Sequence, residues 1–254
     1  MWKTILFERP QEGVALLTIN RPEAMNALNS QVLRDLEEAV ASIRADASIE
    51  VVILTGAGPK AFVAGADIAE MAVMTAEQGR AFSDFGHRVM SALENLDAVV
   101  IAAVNGFALG GGNELALACD IRVAADSAQF GQPEVSLGIT AGFGGTQRLP
   151  RLIGPGRAKL LLYTADRIKA DEAYRIGLAD LVVPAADLMA SVLGLAEKIR
   201  KQRKFAVQQT KKCIARGLDS SLDAGLSYEA QAIGLCFATA DQKEAMTAFL
   251  TKKK

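Results

Sequence analysis

This chain is short of histidine, of paired cysteines, of long apolar runs and of any excess of one charge, and each shortage narrows what it can do. Its 28 basic residues face 29 acidic ones, a formal net charge of −1 with a pI near 6.0. That balance supplies no general attraction to nucleic acid. Cys119, Cys213 and Cys236 lie far apart in apolar or helical surroundings, with no CxxC spacing, so they read as buried thiols and not as metal ligands or a disulfide framework. The single histidine, His87, sits in a helical polar stretch between Phe85 and Val89. No segment reaches the ~20 uninterrupted apolar residues of a membrane span, and the opening MWKTILFERP has no charged leader feeding a long apolar run. The expectation is a cytoplasmic protein with neither membrane nor nucleic-acid partners. No GxxxxGK[ST] phosphate loop occurs either.

What is present is a recurring scheme of apolar run, glycine-rich turn and helix. At 254 residues the chain is long enough for one α/β catalytic unit with an appendage. Val14 to Ile19 reads as a strand, Asn20-Arg21-Pro22 as a turn, and Leu28, Val32, Leu33, Leu36, Val40 and Ile43 as the buried stripe of a helix. Val51 to Thr55 is a buried strand ended by Gly56-Ala57-Gly58-Pro59. Ala61 to Met71 is poor in bulky groups until Ile68, which suits a backbone approached closely by a ligand. Residues 70–95 read as one helix, Val99 to Val104 as the next strand, and Gly110 to Cys119 as a glycine-led helix. A further helix ends near Gly177, and a strand runs through Leu181-Val182-Val183. From about Leu188 helical spacings dominate. Three or four helices are expected there, the last opening with Asp241 and Glu244 in capping-box spacing. The division is 1–190 and 191–254.

Two glutamates stand out. Glu114 follows Gly110-Gly111-Gly112, and Glu134 lies in AQFGQPEVSLGITAGFGGTQRL, so each adjoins a glycine-rich turn. A helix beginning at the glycines presents backbone N–H donors to an anionic oxygen. A nucleotide phosphate fits poorly, because no lysine follows the glycines and a carboxylate occupies the first turn. A thioester oxygen fits better. Taken singly, each feature also has a plain structural reading: a tight turn for the glycines, helix-end stabilisation for Glu114, a solvated turn for Glu134. Together they suit acid/base chemistry beside a carbonyl.

Four long motifs carry a resemblance: NRPEAMNAL at Asn20 to Leu28, AFVAGADIAEM at Ala61 to Met71, VNGFALGGGNELALACDIRVA at Val104 to Ala124, and FGQPEVSLGITAGFGGTQRLPRLIG at Phe130 to Gly154. Through them the chain resembles, almost end to end, the crotonase (enoyl-CoA hydratase/isomerase) superfamily, and in particular its short-chain hydratases and 3-hydroxybutyryl-CoA dehydratases. The resemblance implies a spiral of repeated ββα units with a helical C-terminal oligomerisation region, assembled as trimers or stacked pairs of trimers. It implies an acyl-CoA substrate and no separate cofactor or metal. The thioester oxygen would sit between the N–H groups of Ala66 and Gly111, with Ala64, Ala66, Asp67, Ile68, Ala69 and Gly111 around the ligand and the helix at 70–82 bordering the acyl pocket.

The resemblance further assigns Glu114 and Glu134 to the hydratase pair. One water would add across a trans-2-enoyl-CoA to give the 3-hydroxyacyl-CoA, Glu134 exchanging the C2 proton and Glu114 orienting the water. A like-charge penalty between the two is expected to raise one pKa. Asn113 stands where such hydratases often have cysteine, and Ala141 where proline is usual, departures that bear on pocket shape more than on the reaction. Phe143 reads either as the end of the acyl pocket or as core, and Lys60 either as a partner for CoA phosphates or as a solvated loop residue. Two rivals are a double-bond isomerase using one carboxylate and an RNA-binding protein of the same fold using Lys198, Lys201 and Lys204.

Overall fold

The computed structural model describes residues 2–251, and the chain divides into two compact units, Met1–Leu195 and Ala196–Lys254. The first unit opens with β1 (Ile5–Gln11) and β2 (Val14–Ile19), an antiparallel hairpin. The sequence reading omitted β1, whose Glu8, Arg9 and Pro10 are exposed and hide its pairing with the buried β2. In α1 (Ser30–Ala45) the Asn29 side chain accepts from the Val32 N–H at 2.9 Å, and Val32, Leu33, Leu36, Val40 and Ile43 are buried as their spacing requires. Leu28 fits that spacing but lies outside the helix, in a parallel bridge to Ala66.

From β3 the chain follows one path three times: a strand in the larger sheet, a short strand in a second sheet, then helix. The first pass is β3 (Val51–Gly56), β4 (Ala61–Val63), α2 (Ile68–Met71) and α3 (Ala76–Glu94). The second is β5 (Val99–Val104), β6 (Phe107–Leu109) and α4 (Gly111–Leu117). The third is β7 (Ile121–Ala125), β8 (Gln129–Gly131), a 3-10 turn at Pro133–Leu137 and α5 (Gly145–Ile153). After α6 (Pro155–Thr164), the strand β9 (Arg167–Lys169), α7 (Ala170–Arg175) and β10 (Leu181–Val183) complete the sheets, in the orders β1-β2-β3-β5-β7-β10 and β4-β6-β8-β9. Parallel pairing predominates, and β3 and β5 are buried along their whole length, as their uninterrupted apolar runs imply.

The second sheet escaped the sequence reading because strands of three residues carry no usable alternation. The single helix expected over 70–95 is in fact two. Thr75 takes an extended conformation and forms a capping box with Gln78 at the start of α3, so the segment after α2 turns instead of continuing.

Around and beyond α8 (Leu188–Arg200) come α9 (Lys204–Leu218), α10 (Leu222–Phe237) and α11 (Ala240–Thr251). α9 and α10 pack side by side. The expected division after residue 190 and the observed one after Leu195 both fall inside α8. The last helix is capped by the Thr239 hydroxyl, which accepts from the Gln242 N–H, and not by the Asp241–Glu244 pair; Asp241 instead faces Arg203 at 3.8 Å.

The contact that places α4 is between main chains. A Cβ at Gly112 would stand 1.9 Å from the Val63 carbonyl oxygen of β4, so only glycine permits this approach. Gly112→Ala is therefore expected to destabilise the fold by about 1–3 kcal/mol or more. Gly194→Ala, at an exposed position of α8 with nothing near its Cβ, is expected to stabilise by about 0.5–1 kcal/mol. Urea midpoints of the two variants against the parent check both signs.

Candidate active site

A cavity of about 500 Å³ opens in the first unit, bounded by α2, α3, the start of α4 and the loops around Glu134 and Phe143. Its polar edge is made by backbone. Gly110 turns the chain from β6 into α4 at φ 51° and ψ −122°, a conformation that favours glycine, and its N–H donates to the Gly131 carbonyl at 2.9 Å. Leu28 engages both neighbours of Ala66, donating to the Gly65 carbonyl at 2.9 Å and accepting from the Asp67 N–H at 2.8 Å. In a parallel bridge of this kind the Ala66 N–H points away from Leu28. A Cβ at Gly111 would lie 3.4 Å from the Ala66 nitrogen, so the two amide segments run side by side along the cavity.

Glu114 projects from the first turn of α4 and is 1 % exposed. Its Oε1 accepts from the Phe143 N–H at 2.8 Å and the Gly145 N–H at 2.6 Å, leaving Oε2 for the cavity. Burial pushes this carboxyl up to about 7. The two backbone donors and Arg148 oppose that rise, and the charge of Glu134 adds to it. Glu134 is also raised by burial. Desolvation thus outweighs the like-charge repulsion from which a raised pKa was expected.

Glu134 lies in the 3-10 turn with its carboxyl against Gly110, where a Cβ would stand 2.8 Å from Oε1. Its Oε1 accepts from the Gln132 amide at 3.1 Å, while Oε2 is buried and accepts no hydrogen bond from the described residues. Gln132, fully buried, was missed by sequence reasoning. A glutamine two positions before a candidate acid carries no signal until backbone curvature brings the two side chains together.

The other expected residues divide. Ala64, Ala66, Ile68 and Gly111 line the cavity, with Met71, Met74, Thr75, Ala76, Gly79 and Phe82 beyond them. Asp67 and Ala69 do not. Asp67 caps α2, accepting from the Ala69 N–H at 3.1 Å, and pairs with Arg21 at 3.0 Å. Lys60 is exposed before β4. His87 is exposed on α3, its Nε2 3.3 Å from the Ser83 hydroxyl, which itself donates to the Gly142 carbonyl. Phe143 is both wall and core. It is 3 % exposed, lines the cavity, and meets Phe82 edge-on with ring centroids 5.2 Å apart. A Cβ at Gly86 would stand 2.1 Å from its ring. Among the described residues no group of three or more His, Cys, Asp or Glu is placed to hold a metal ion, and no helix is long and apolar enough to cross a membrane.

Residues 9–254 match the sequence profile described as enoyl-CoA hydratase/isomerase. The chain belongs to that family. It is 53 % identical over 253 residues to a crotonyl-CoA hydratase of Syntrophomonas wolfei, covering 100 % of this chain and 97 % of the relative. To a short-chain-enoyl-CoA hydratase of Clostridium acetobutylicum it is 54 % identical over 245 residues, 96 % of this chain and 94 % of the relative. The crystal structure of an enoyl-CoA hydratase from Bacillus anthracis superposes with a TM-score of 0.95 at 44 % identity, covering 98 % and 97 % of the two chains. The two-sheet path with a helix closing each pass is accordingly the spiral fold of the enoyl-CoA hydratase/isomerase family.

In this family member the burial of Glu114 has a thermodynamic signature. Unfolded, the carboxyl titrates near 4.5, and folded near 7, so between those values the native state keeps a proton that the unfolded state has released. Stability is therefore expected to fall as pH rises through that window, by about 3 kcal/mol from this group, and Glu134 acts in the same sense. Glu114→Gln keeps an oxygen for the Phe143 and Gly145 donors and does not titrate. It should remove the larger part of the decline, read from urea unfolding at about pH 5 and about pH 8.

Proposed function

We propose that this chain is a short-chain enoyl-CoA hydratase, adding water reversibly and syn across a trans-2-enoyl-CoA, with crotonyl-CoA as a substrate, to give the 3-hydroxyacyl-CoA. The carrying observation is that the buried Glu114 and the half-buried Glu134 line one cavity with the amide segments of Ala66 and Gly111. The Ala66 and Gly111 N–H groups polarise the thioester carbonyl and stabilise the enolate, a task worth about 3–4 kcal/mol per preorganised donor. The carboxyl pair holds one proton between its members. As the water oxygen bonds to C3, the water gives a proton to the ionised member, and the protonated member delivers one to C2. We assign the C2 proton to Glu134, whose Oε2 has no other partner, and the orientation of water to Glu114. Raised carboxyl pKa values suit that exchange near neutral pH.

The main chain around Ala64 to Ile68 would hold the CoA thioester end, with Asp67 and Ala69 shaping the loop and no cofactor required. The C-terminal unit exposes Leu218, Leu222, Phe249 and Leu250 at 78, 75, 60 and 66 %, which supports its use as the contact surface of a homotrimer or a dimer of trimers. Cys213 and Cys236 carry thiols and not a disulfide, which suits the cytoplasm.

Loss of the enoyl-thioester absorbance of crotonyl-CoA, with the product identified by mass, tests the assignment. Glu114→Gln and Glu134→Gln should each lower kcat by about 10²–10⁴-fold. A protein that adds no water across four- to eight-carbon enoyl-CoAs yet shifts a 3-enoyl double bond is an isomerase. Chain length is set where Phe143 closes on Phe82 and Gly86. Phe143→Ala keeps the backbone donor to Glu114 and should raise the eight-carbon to four-carbon ratio of kcat/KM by about tenfold or more; an unchanged ratio would remove Phe143 as the limit.

A further inference from the structure

Beside Glu114, Asn113 is 0 % exposed, and only half of its amide is used. Its Nδ2 donates to the Gln132 Oε1 at 2.7 Å, and its Oδ1 is buried without a partner. An apolar side chain would fill that volume without stranding a carbonyl, so packing does not explain an amide here. Its N–H group does. A neutral amide such as Gln132 can present either its oxygen or its nitrogen to Glu134. With the Gln132 oxygen accepting from Asn113, the nitrogen faces Glu134, and it donates to Oε1 at 3.1 Å. The space for this chain comes from glycine on two sides: a Cβ at Gly110 would lie 2.8 Å from the Glu134 Oε1, and one at Gly145 would lie 2.7 Å from the Gln132 Nε2.

We infer that Asn113 is a positioning residue that acts through Gln132 to fix which oxygen of Glu134 handles the substrate proton. Oε1 is committed as an acceptor, so the exchangeable proton is confined to Oε2. In the dehydration direction, or in enolisation, the C2–H proton passes to Oε2 while its electron pair moves onto the thioester carbonyl; in hydration the same proton returns to C2. Without Asn113 the Gln132 amide is free to turn its oxygen toward Glu134. That arrangement draws the proton onto Oε1, away from the exchanging position. The inference rests on Glu134 as the group that exchanges the C2 proton.

The test uses the full chain with Asn113→Ala and with Asn113→Leu, the latter filling the vacated volume. Two reactions are read: crotonyl-CoA hydration, and exchange of the C2 hydrogens of butyryl-CoA in D2O, which reports proton transfer without water addition. Each variant should lose about 10- to 100-fold in kcat and in exchange rate, with KM within about twofold of the parent. In a Gln132→Ala background the same substitution should cost nothing further, because the two residues act in series. Parental kcat and exchange in either folded variant overturns the inference, as do additive losses with Gln132→Ala or a rise in KM alone. Full activity in Glu134→Gln would instead overturn the assignment of Glu134 itself, while a Glu134-dependent reaction indifferent to Asn113 removes only the relay.

Discussion

The site depends on how closely one helix can approach one strand. At Gly112 the main chain of α4 lies against the Val63 carbonyl of β4 at a distance that excludes any side chain. That approach brings the Gly111 segment beside Ala66 and points Glu114 into the cavity. Apart from Glu134, the polar parts of the site are then held by backbone: Glu114 by the Phe143 and Gly145 N–H groups, Gly110 by Gly131, and the Ala66 segment by its bridge to Leu28. Backbone groups have no rotamers to lose and do not titrate, so the donors stay in place while the carboxyls change charge.

The arrangement has an energetic cost, concentrated on the carboxyls. A buried carboxylate with two backbone donors is ordinarily acidic, yet for Glu114 the loss of solvent outweighs both donors and Arg148. The same burial that destabilises the ionised form gives the group a pKa suited to proton exchange near neutral pH. Arg148 ties this region to the rest of the unit, bonding to Glu94 of α3 at 2.8 Å and donating to the Phe143 carbonyl at 3.2 Å. It thereby holds the carbonyl side of Phe143, the residue whose own N–H is one of the two Glu114 donors. The amide pair Asn113 and Gln132 performs a comparable task for Glu134 with neutral groups, which add no charge to a site that already holds two acids.

Much of this was legible in the chain itself. The buried parallel strands at Val51 and Val99 announce themselves as uninterrupted apolar runs, α1 by its spacing, and α4 by the glycines before it, because those patterns depend on neighbours close in sequence. The four motifs, read as a resemblance, pointed to the family and to Glu114 and Glu134. Less visible were β1, the three-residue strands of the second sheet, and the break between α2 and α3. Each is settled by pairing with distant residues or by a local cap at Thr75 that competes with a continuing helix.

The sequence by itself therefore determined the class of fold and the order of its longer elements, since short-range periodicity and residue type suffice for those, while Glu114 and Glu134 were singled out as a pair by the resemblance its motifs carry. Only the tertiary structure decided that Phe143 closes on Phe82 and Gly86, that Asp67 turns to Arg21 and not to the cavity, and that Asn113 and Gln132 line up behind Glu134. The physical reason is common to all three. They are contacts between side chains separated by many residues or brought together by curvature, and their directions are fixed by packing and hydrogen-bond geometry that no local pattern encodes.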